Sequence, residues 1–225
     1  MTIRYALFLL ITLALTAFIG YGTFATARLL RTWRPDRNLL LLPQENALRV
    51  LLVLACVGLG LLSGVDQAVL GWQWRDWQID AAWGLGVGLL LAGGFYLATR
   101  LLVHWGGGRF YSPSVLEILL PTSPREFWLV LLAFIPAVLL EEMLFRSLLI
   151  GGLSSLASPL LLIIGTGIAF GLLHSPQGIW GMVGAGLAGV IFGLLFLATG
   201  SLVAPLMAHY VANSVQIALA LALPR

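Results

Sequence analysis

The stretch Leu139-Leu140-Glu141-Glu142-Met143-Leu144-Phe145-Arg146 places two carboxylates and an arginine inside an almost wholly apolar run from Phe127 to Ile150. A charge at bilayer depth costs at least about 2.5–3.5 kcal/mol on insertion scales, so three such charges together are rarely accidental. Nearly every other charge in the chain lies in a connecting loop or at a terminus. We therefore expect this run to cross a membrane and its charges to serve a purpose in the folded protein, either structural or functional.

On a helix, the two glutamates of this stretch face in different directions. Glu142 and Arg146 are four residues apart, share one face and can form an ion pair. Glu141 is turned by about 100° from Glu142, the rotation per residue at 3.6 residues per turn. Glu141 therefore has no partner on its own helix, and its carboxylate is free for another task.

The composition of the whole chain is that of a helical membrane protein. Of its 225 residues, 60% are hydrophobic and only 9% are charged, and the mean hydropathy is +1.01. Long apolar runs without alternation exclude a transmembrane barrel. We predict an all-α polytopic transmembrane bundle in a single domain over residues 1–225, with N-terminal spans and loops in 1–126 and the charged and polar motifs in 127–223.

The charges and the cysteine exclude other classes of protein. The net charge is +3, and most basic residues flank apolar runs, as topology determinants do, so no nucleic-acid partner is expected. The one cysteine, Cys56, lies in an apolar run. It can form neither a disulfide framework nor a cysteine-based metal site, and we interpret it as a small buried residue.

The apolar runs predict about seven spans, with six to eight allowed. The second is doubtful because it is short, although residues 67–71 could extend it past Asp66. Arginines place the loops 28–49 and 100–126 in the cytoplasm of a multi-pass integral membrane protein surrounded by lipid. The spans are predicted over residues 5–27, 50–65, 81–99, 127–150, 160–174, 178–199 and 203–223.

Two further features of the spans predict local roles. Trp72, Trp74 and Trp77 resemble an aromatic belt at the membrane interface. Small residues four apart in the sixth span predict close helix packing along one face. These residues are Gly181, Ala185, Gly189 and Gly193.

Two later spans each carry a polar pair on one face. Phe170 and His174 are four apart, as are His209 and Asn213. Buried polar groups left unpaired in lipid cost several kcal/mol, so the three polar faces are expected to turn toward one hydrated pocket. A carboxylate, two imidazoles and an amide can together hold a water, take its proton and stabilise an oxyanion.

These three motifs, in this order, resemble the CAAX-protease and bacteriocin-processing family of intramembrane proteases, also called CPBP or Abi proteins. The resemblance rests on Glu-Glu-x-x-x-Arg at 141–146, Phe-x-x-x-His at 170–174 and His-x-x-x-Asn at 209–213. It implies an all-α membrane endopeptidase that cleaves a peptide or protein substrate, which in some members is lipidated.

The resemblance also assigns roles to residues. Glu141 and His174 would hold and activate the attacking water, and His209 with Asn213 would stabilise the oxyanion. Glu142, Arg146 and Phe170 would support them. Family members have been described both as metalloproteases and as glutamate-dependent enzymes without metal. No cofactor is therefore certain, and a divalent metal such as zinc would need His174, His209 and Glu141 as ligands.

Two other functions stay open from the residues alone. A proton-coupled transporter would also carry buried Glu, Arg and His, although no second copy of the charged stretch is present. A non-catalytic scaffold or immunity partner of the same fold would bind a peptide without cutting it. The predicted boundaries also contain a misfit, because they place Glu141 near the outer face and His174 near the inner one.

Overall fold

The structure is a computed structural model that describes residues 2–222 apart from 31, 34, 36, 75 and 107–113, with the backbone alone for 106 and 114–116. Every regular element among these residues is helical, which confirms the predicted all-α bundle. The α-helices are α1 Ile3–Leu29, α2 Pro43–Ser63, α3 Trp77–Gly106, α4 Ser114–Leu119, α5 Pro124–Glu142, α6 Pro159–Leu173, α7 Gly178–Thr199 and α8 Val203–Ala222.

Six helices of the described chain are long and apolar enough to cross a membrane. They are α1, α2, α3, α5 with its continuation to Gly151, α7 with the turn before it, and α8. The fifth of the seven predicted spans is the exception, because α6 has only 15 residues. At about 1.5 Å per residue α6 is about 22 Å long, less than the roughly 30 Å of a hydrocarbon core.

The second predicted span is real, but its predicted boundaries are wrong. Helix α2 begins at Pro43, which suits the first turn of a helix because its nitrogen has no hydrogen to leave unpaired. The helix ends at Ser63, and Gly64 follows with φ of +72° in the left-handed region. Residues 67–71 do not extend the helix; they form turns that bury Leu70.

The predicted aromatic belt is only partly correct. Trp74 and Trp77 are exposed, as an interface belt requires. Trp72 instead packs against the buried core, and its Nε1 donates a hydrogen bond of 2.8 Å to Ser147 Oγ. Its indole therefore joins the 64–76 connection to the charged-motif helix.

Small residues allow the helices near the candidate site to approach closely. In α7, Gly189 faces Phe170 and Gly193 faces Ile163, as the predicted packing face requires. Gly181 has a different role, because a Cβ there would meet only Gln177 and the residue lines a cavity, as Ala185 does. The packing between α6 and α7 is completed by Gly167, Gly171 and Gly186.

Some sequence predictions fall on residues outside the described ranges. Residues 31, 34 and 36 belong to the predicted cytoplasmic loop 28–49, and residues 107–113 belong to the loop 100–126. Residue 223, the predicted end of the last span, also lies outside them. The cytoplasmic orientation of both loops stays a prediction.

Candidate active site

The charged motif lies where one helix changes its geometry. Helix α5 begins with Ser123 as its N-cap and ends at Glu142, and a π-helix over Met143–Gly151 continues it. All nine residues of the π-helix are buried. π-Helical turns are rare and are often found at functional sites. The π-helix that begins directly after the glutamate pair therefore marks this part of the fold as a candidate functional site.

Glu142 forms the predicted ion pair and one further contact. Its Oε1 accepts hydrogen bonds from Arg146 Nη1 at 3.1 Å and from His209 Nδ1 at 2.8 Å. Arg146 Nη2 donates to the backbone oxygen of Gly189 at 3.1 Å. Glu142 and Arg146 are almost completely buried, at 0% and 1% exposure. This buried pair therefore connects the first motif to the third motif and to α7.

Glu141 is placed differently from its neighbour. Its side chain is 35% exposed and lines a cavity inside the bundle. Its Oε2 lies 3.7 Å from His209 Nε2, beyond hydrogen-bonding distance, and has no hydrogen-bond partner among the described residues. His209 thus stands between the two carboxylates, with one ring nitrogen toward each.

His174 is the residue that follows α6. Its Nδ1 lies 2.8 Å from the backbone oxygen of Phe170. A carbonyl oxygen can only accept, so Nδ1 carries the hydrogen and Nε2 is left for the cavity. The ring of Phe170 lies 4.6 Å from that of His174 and 5.8 Å from that of His209. Phe170 therefore packs beside both imidazoles.

One cavity of about 240 Å³ brings the four predicted catalytic side chains together. Glu141, His174, His209 and Asn213 all line it, and Phe170 forms part of its wall. The predicted spans placed Glu141 and His174 at different depths in the membrane. The short α6 accounts for this difference, because a helix of about 22 Å that starts at one membrane surface ends inside the hydrocarbon core. His174 can therefore meet Glu141 at depth.

The donor set does not form a metal site in the described part of the chain. No three His, Cys, Asp or Glu side chains converge there closely enough to hold a metal ion. The zinc ligands that the sequence suggested were His174, His209 and Glu141. His209 Nδ1 is directed at Glu142 and His174 Nδ1 at Phe170, which leaves Nε2 of each ring as the nitrogen that a metal could bind, and metal dependence stays a prediction.

Some residues at the site carried no sequence signal. The ring of Phe192 stacks on His209 with centroids 5.0 Å apart, and it also lies 5.3 Å from the Arg146 guanidinium carbon. In the sequence, Phe192 cannot be distinguished from the other apolar residues of its helix. Its role is visible only in the structure, where it lies beside polar groups. Phe95, Thr99 and Trp180 also line the cavity and were not predicted.

Comparison with known proteins gives one family match. Residues 123–215 match a family model described as "Type II CAAX prenyl endopeptidase Rce1-like". The matched segment is less than half of the chain but contains all three motifs. No curated protein and no solved structure matched the chain.

Proposed function

Residues 123–215 belong to the Rce1-like family, which is a family of proteases. From this premise we propose that the protein is an intramembrane endopeptidase. It would hydrolyse a peptide bond with an activated water. One observation carries the proposal. Glu141, His174, His209 and Asn213, from three separate helical segments, line one cavity within a bundle of apolar helices.

In the proposed mechanism, Glu141 and His174 hold the attacking water. The Glu141 side chain lines the cavity and is 35% exposed there, and the Nε2 lone pair of His174 is available because Nδ1 donates to Phe170. Glu141 accepts a proton as the water oxygen bonds to the substrate carbonyl carbon. The same proton then passes to the leaving amine as the C–N bond breaks, so the enzyme returns to its starting state.

The oxyanion of the tetrahedral intermediate is stabilised by His209 and Asn213. Asn213 follows His209 by one helical turn, and both line the cavity. The Asn213 amide can donate through Nδ2. The contact of His209 Nδ1 with Glu142 orients the ring so that Nε2 faces Glu141 and the cavity. Donors held rigidly at a developing charge are an effective form of catalysis.

Glu141→Gln tests the proposal directly. The purified variant should lose peptide cleavage, because an amide cannot accept the proton of the water, while it remains folded in detergent. The measurement is the appearance of new amino termini in a mixture of apolar peptides. Glu45→Gln, an exposed carboxylate in the first turn of α2, is the matched control and should cleave normally.

Undiminished cleavage by Glu141→Gln would remove Glu141 from the mechanism. The other functional classes give different results in the same preparation. A scaffold would bind peptides without releasing new amino termini, and a carrier would move protons or solutes across liposome membranes.

A further inference from the structure

The cavity is also lined by one face of α7. Its floor there consists of small residues at intervals of three and four, which lie on one face of a helix. From the first to the last of them the helix rises by about 10 Å. This floor, called the groove below, is formed by Gly181, Gly184, Ala185 and Ala188.

An aromatic wall borders the groove beside Gly184 and is formed by Phe95 and Thr99 of α3 and Trp180 of α7. Trp180 Nε1 donates a hydrogen bond of 2.8 Å to Thr99 Oγ1. The rings of Phe95 and Trp180 meet edge to face, with centroids 6.3 Å apart and an interplanar angle of 71°. All three side chains line the cavity.

The position of Phe95 depends on a glycine. A Cβ added at Gly184 would lie 2.5 Å from Phe95 Cε1, so the ring occupies space that only glycine leaves free. The aromatic wall is therefore held by a hydrogen bond, a ring contact and a matching notch in α7. Rings held this rigidly can select a ligand by shape.

The chemistry of the groove and the wall suits a neutral ligand. Apart from Glu141 and the two histidines, no ionisable side chain is found among the described lining residues. The volume of about 240 Å³ lies just below the usual range of about 300–1,000 Å³ for small-molecule pockets. A space of this size accommodates one large side chain together with the backbone next to it.

We propose that the aromatic wall is a specificity subsite, which accepts one bulky apolar side chain of the peptide substrate while the groove carries the backbone to the catalytic residues. An extended chain advances about 3.3 Å per residue, so a groove of about 10 Å holds about three residues of the substrate. The inference rests on the proposed endopeptidase function and names the feature of the substrate that the enzyme selects.

The first test measures kcat/KM for short alanine peptides in which one position at a time carries Gly, Leu or Phe, with a fluorophore and a quencher at the ends. Phe at one fixed distance from the cleavage site should raise kcat/KM at least about tenfold over Gly, as expected for apolar pockets. Phe95→Ala should abolish this preference, so that the ratio of kcat/KM between the Phe and Gly peptides falls to about one.

Phe18→Ala, which removes an exposed ring on α1, is the matched control and should keep the preference. Gly184→Ala should displace Phe95 and shift the preference from Phe toward Leu. Gly93→Ala, where a Cβ would meet nothing within 4 Å, should leave it unchanged. An equal loss of activity on all peptides in Phe95→Ala would show a merely structural role and would overturn the subsite.

The second test separates the subsite from the catalytic proposal. The Phe position of the same peptides is replaced by a photoreactive benzoylphenylalanine, and crosslinks to Glu141→Gln protein are mapped by mass spectrometry. Crosslinks to α3 near Phe95 or to α7 near Trp180 support the subsite. Crosslinks elsewhere, or no saturable crosslinking, overturn it. Crosslinks at the wall without cleavage by the unmodified protein would instead contradict the endopeptidase function.

Discussion

Glu142 is the residue on which the arrangement of the site depends. Its Oε1 accepts hydrogen bonds from both Arg146 and His209, and its Oε2 lies 3.1 Å from Arg146 Nε. The guanidinium of Arg146 in turn lies 5.0 Å from the ring centroid of Phe170 and 5.3 Å from that of Phe192. Removal of the Glu142 charge would therefore leave a buried arginine surrounded by aromatic rings.

Glu142→Gln should destabilise the fold by about 3–5 kcal/mol, the usual cost of removing one partner from a buried ion pair. Thermal unfolding in detergent, followed by loss of the monodisperse protein, measures the effect. Glu141→Gln is the matched comparison, because that side chain is 35% exposed in the cavity and should leave the unfolding temperature almost unchanged.

A Glu142→Gln protein with normal thermal stability and no peptidase activity would reverse the roles of the two carboxylates. Glu142 would then act in catalysis, and the pair with Arg146 would not be needed for folding. The two variants change adjacent residues that lie on different faces of the helix. Their comparison therefore tests which face is needed for folding and which for peptidase activity.

At the scale of elements, the contact between α3 and α8 sets the shape of the cavity. Gly84 and Gly88 of α3 lie against the backbone of α8, where a Cβ would overlap the carbonyl oxygens of Ala204 and Ala208. Helix α3 supplies Phe95 and Thr99 of the aromatic wall, and α8 supplies His209. The spacing of these two helices therefore fixes the width of the site.

Gly84→Leu should force α3 and α8 apart, because the new side chain would occupy the space of the α8 backbone. We expect a lower unfolding temperature and at least about a tenfold loss of activity, since small residues are what allow close helix approach in membranes. Gly86→Leu is the control on the same helix, where a Cβ would meet nothing within 4 Å.

Equal behaviour of the two leucine variants would contradict this view of the α3–α8 interface. A loss of stability in Gly86→Leu alone would mean that the opposite face of α3 is the packed one. Both results are read from the same unfolding and activity measurements.

At the scale of the whole molecule, separate hydrogen bonds tie the helix ends on the two sides of the bundle. On one side, Tyr5 Oη donates to the backbone oxygen of Gly152 at 2.9 Å. On the other side, Asn38 Nδ2 donates to the backbone oxygen of Leu119 at 2.8 Å. The start of α1 therefore lies on the side opposite to the connections before α2 and α5.

The arginine distribution predicts that the side of Asn38 and Leu119 faces the cytoplasm. Single cysteines at Glu45 and Thr122, in a Cys56→Ala background, should react with a membrane-impermeant maleimide only in inside-out vesicles. A cysteine at Asp66 should react only from the other side. The measurement is labelling of intact and inverted vesicles.

If all three cysteines show the reversed pattern, the orientation predicted from the arginines is wrong and the fold stands. If Glu45 and Thr122 react from different sides, the helix arrangement itself is wrong. Cys56→Ala removes the one native cysteine, so that every label reports on an introduced position.

The amino-acid sequence determined the helical class, the approximate positions of the spans and the three motifs. Their helical spacing also predicted the pair of Glu142 and Arg146 and left Glu141 free in the cavity. The physical reason is the high cost of charges and unpaired polar groups in lipid, which makes each such residue conspicuous in the sequence.

Only the tertiary structure decided which apolar residues face the site and how deep its parts lie. Phe192, the aromatic wall and the inward-facing Trp72 look like any other residues of apolar segments, since lipid-facing and protein-facing sides of a membrane helix have similar composition. The short α6 and the hydrogen bond from His209 to Glu142 depend on how glycine-lined helices meet. That packing is a property of the assembled bundle and of no single span.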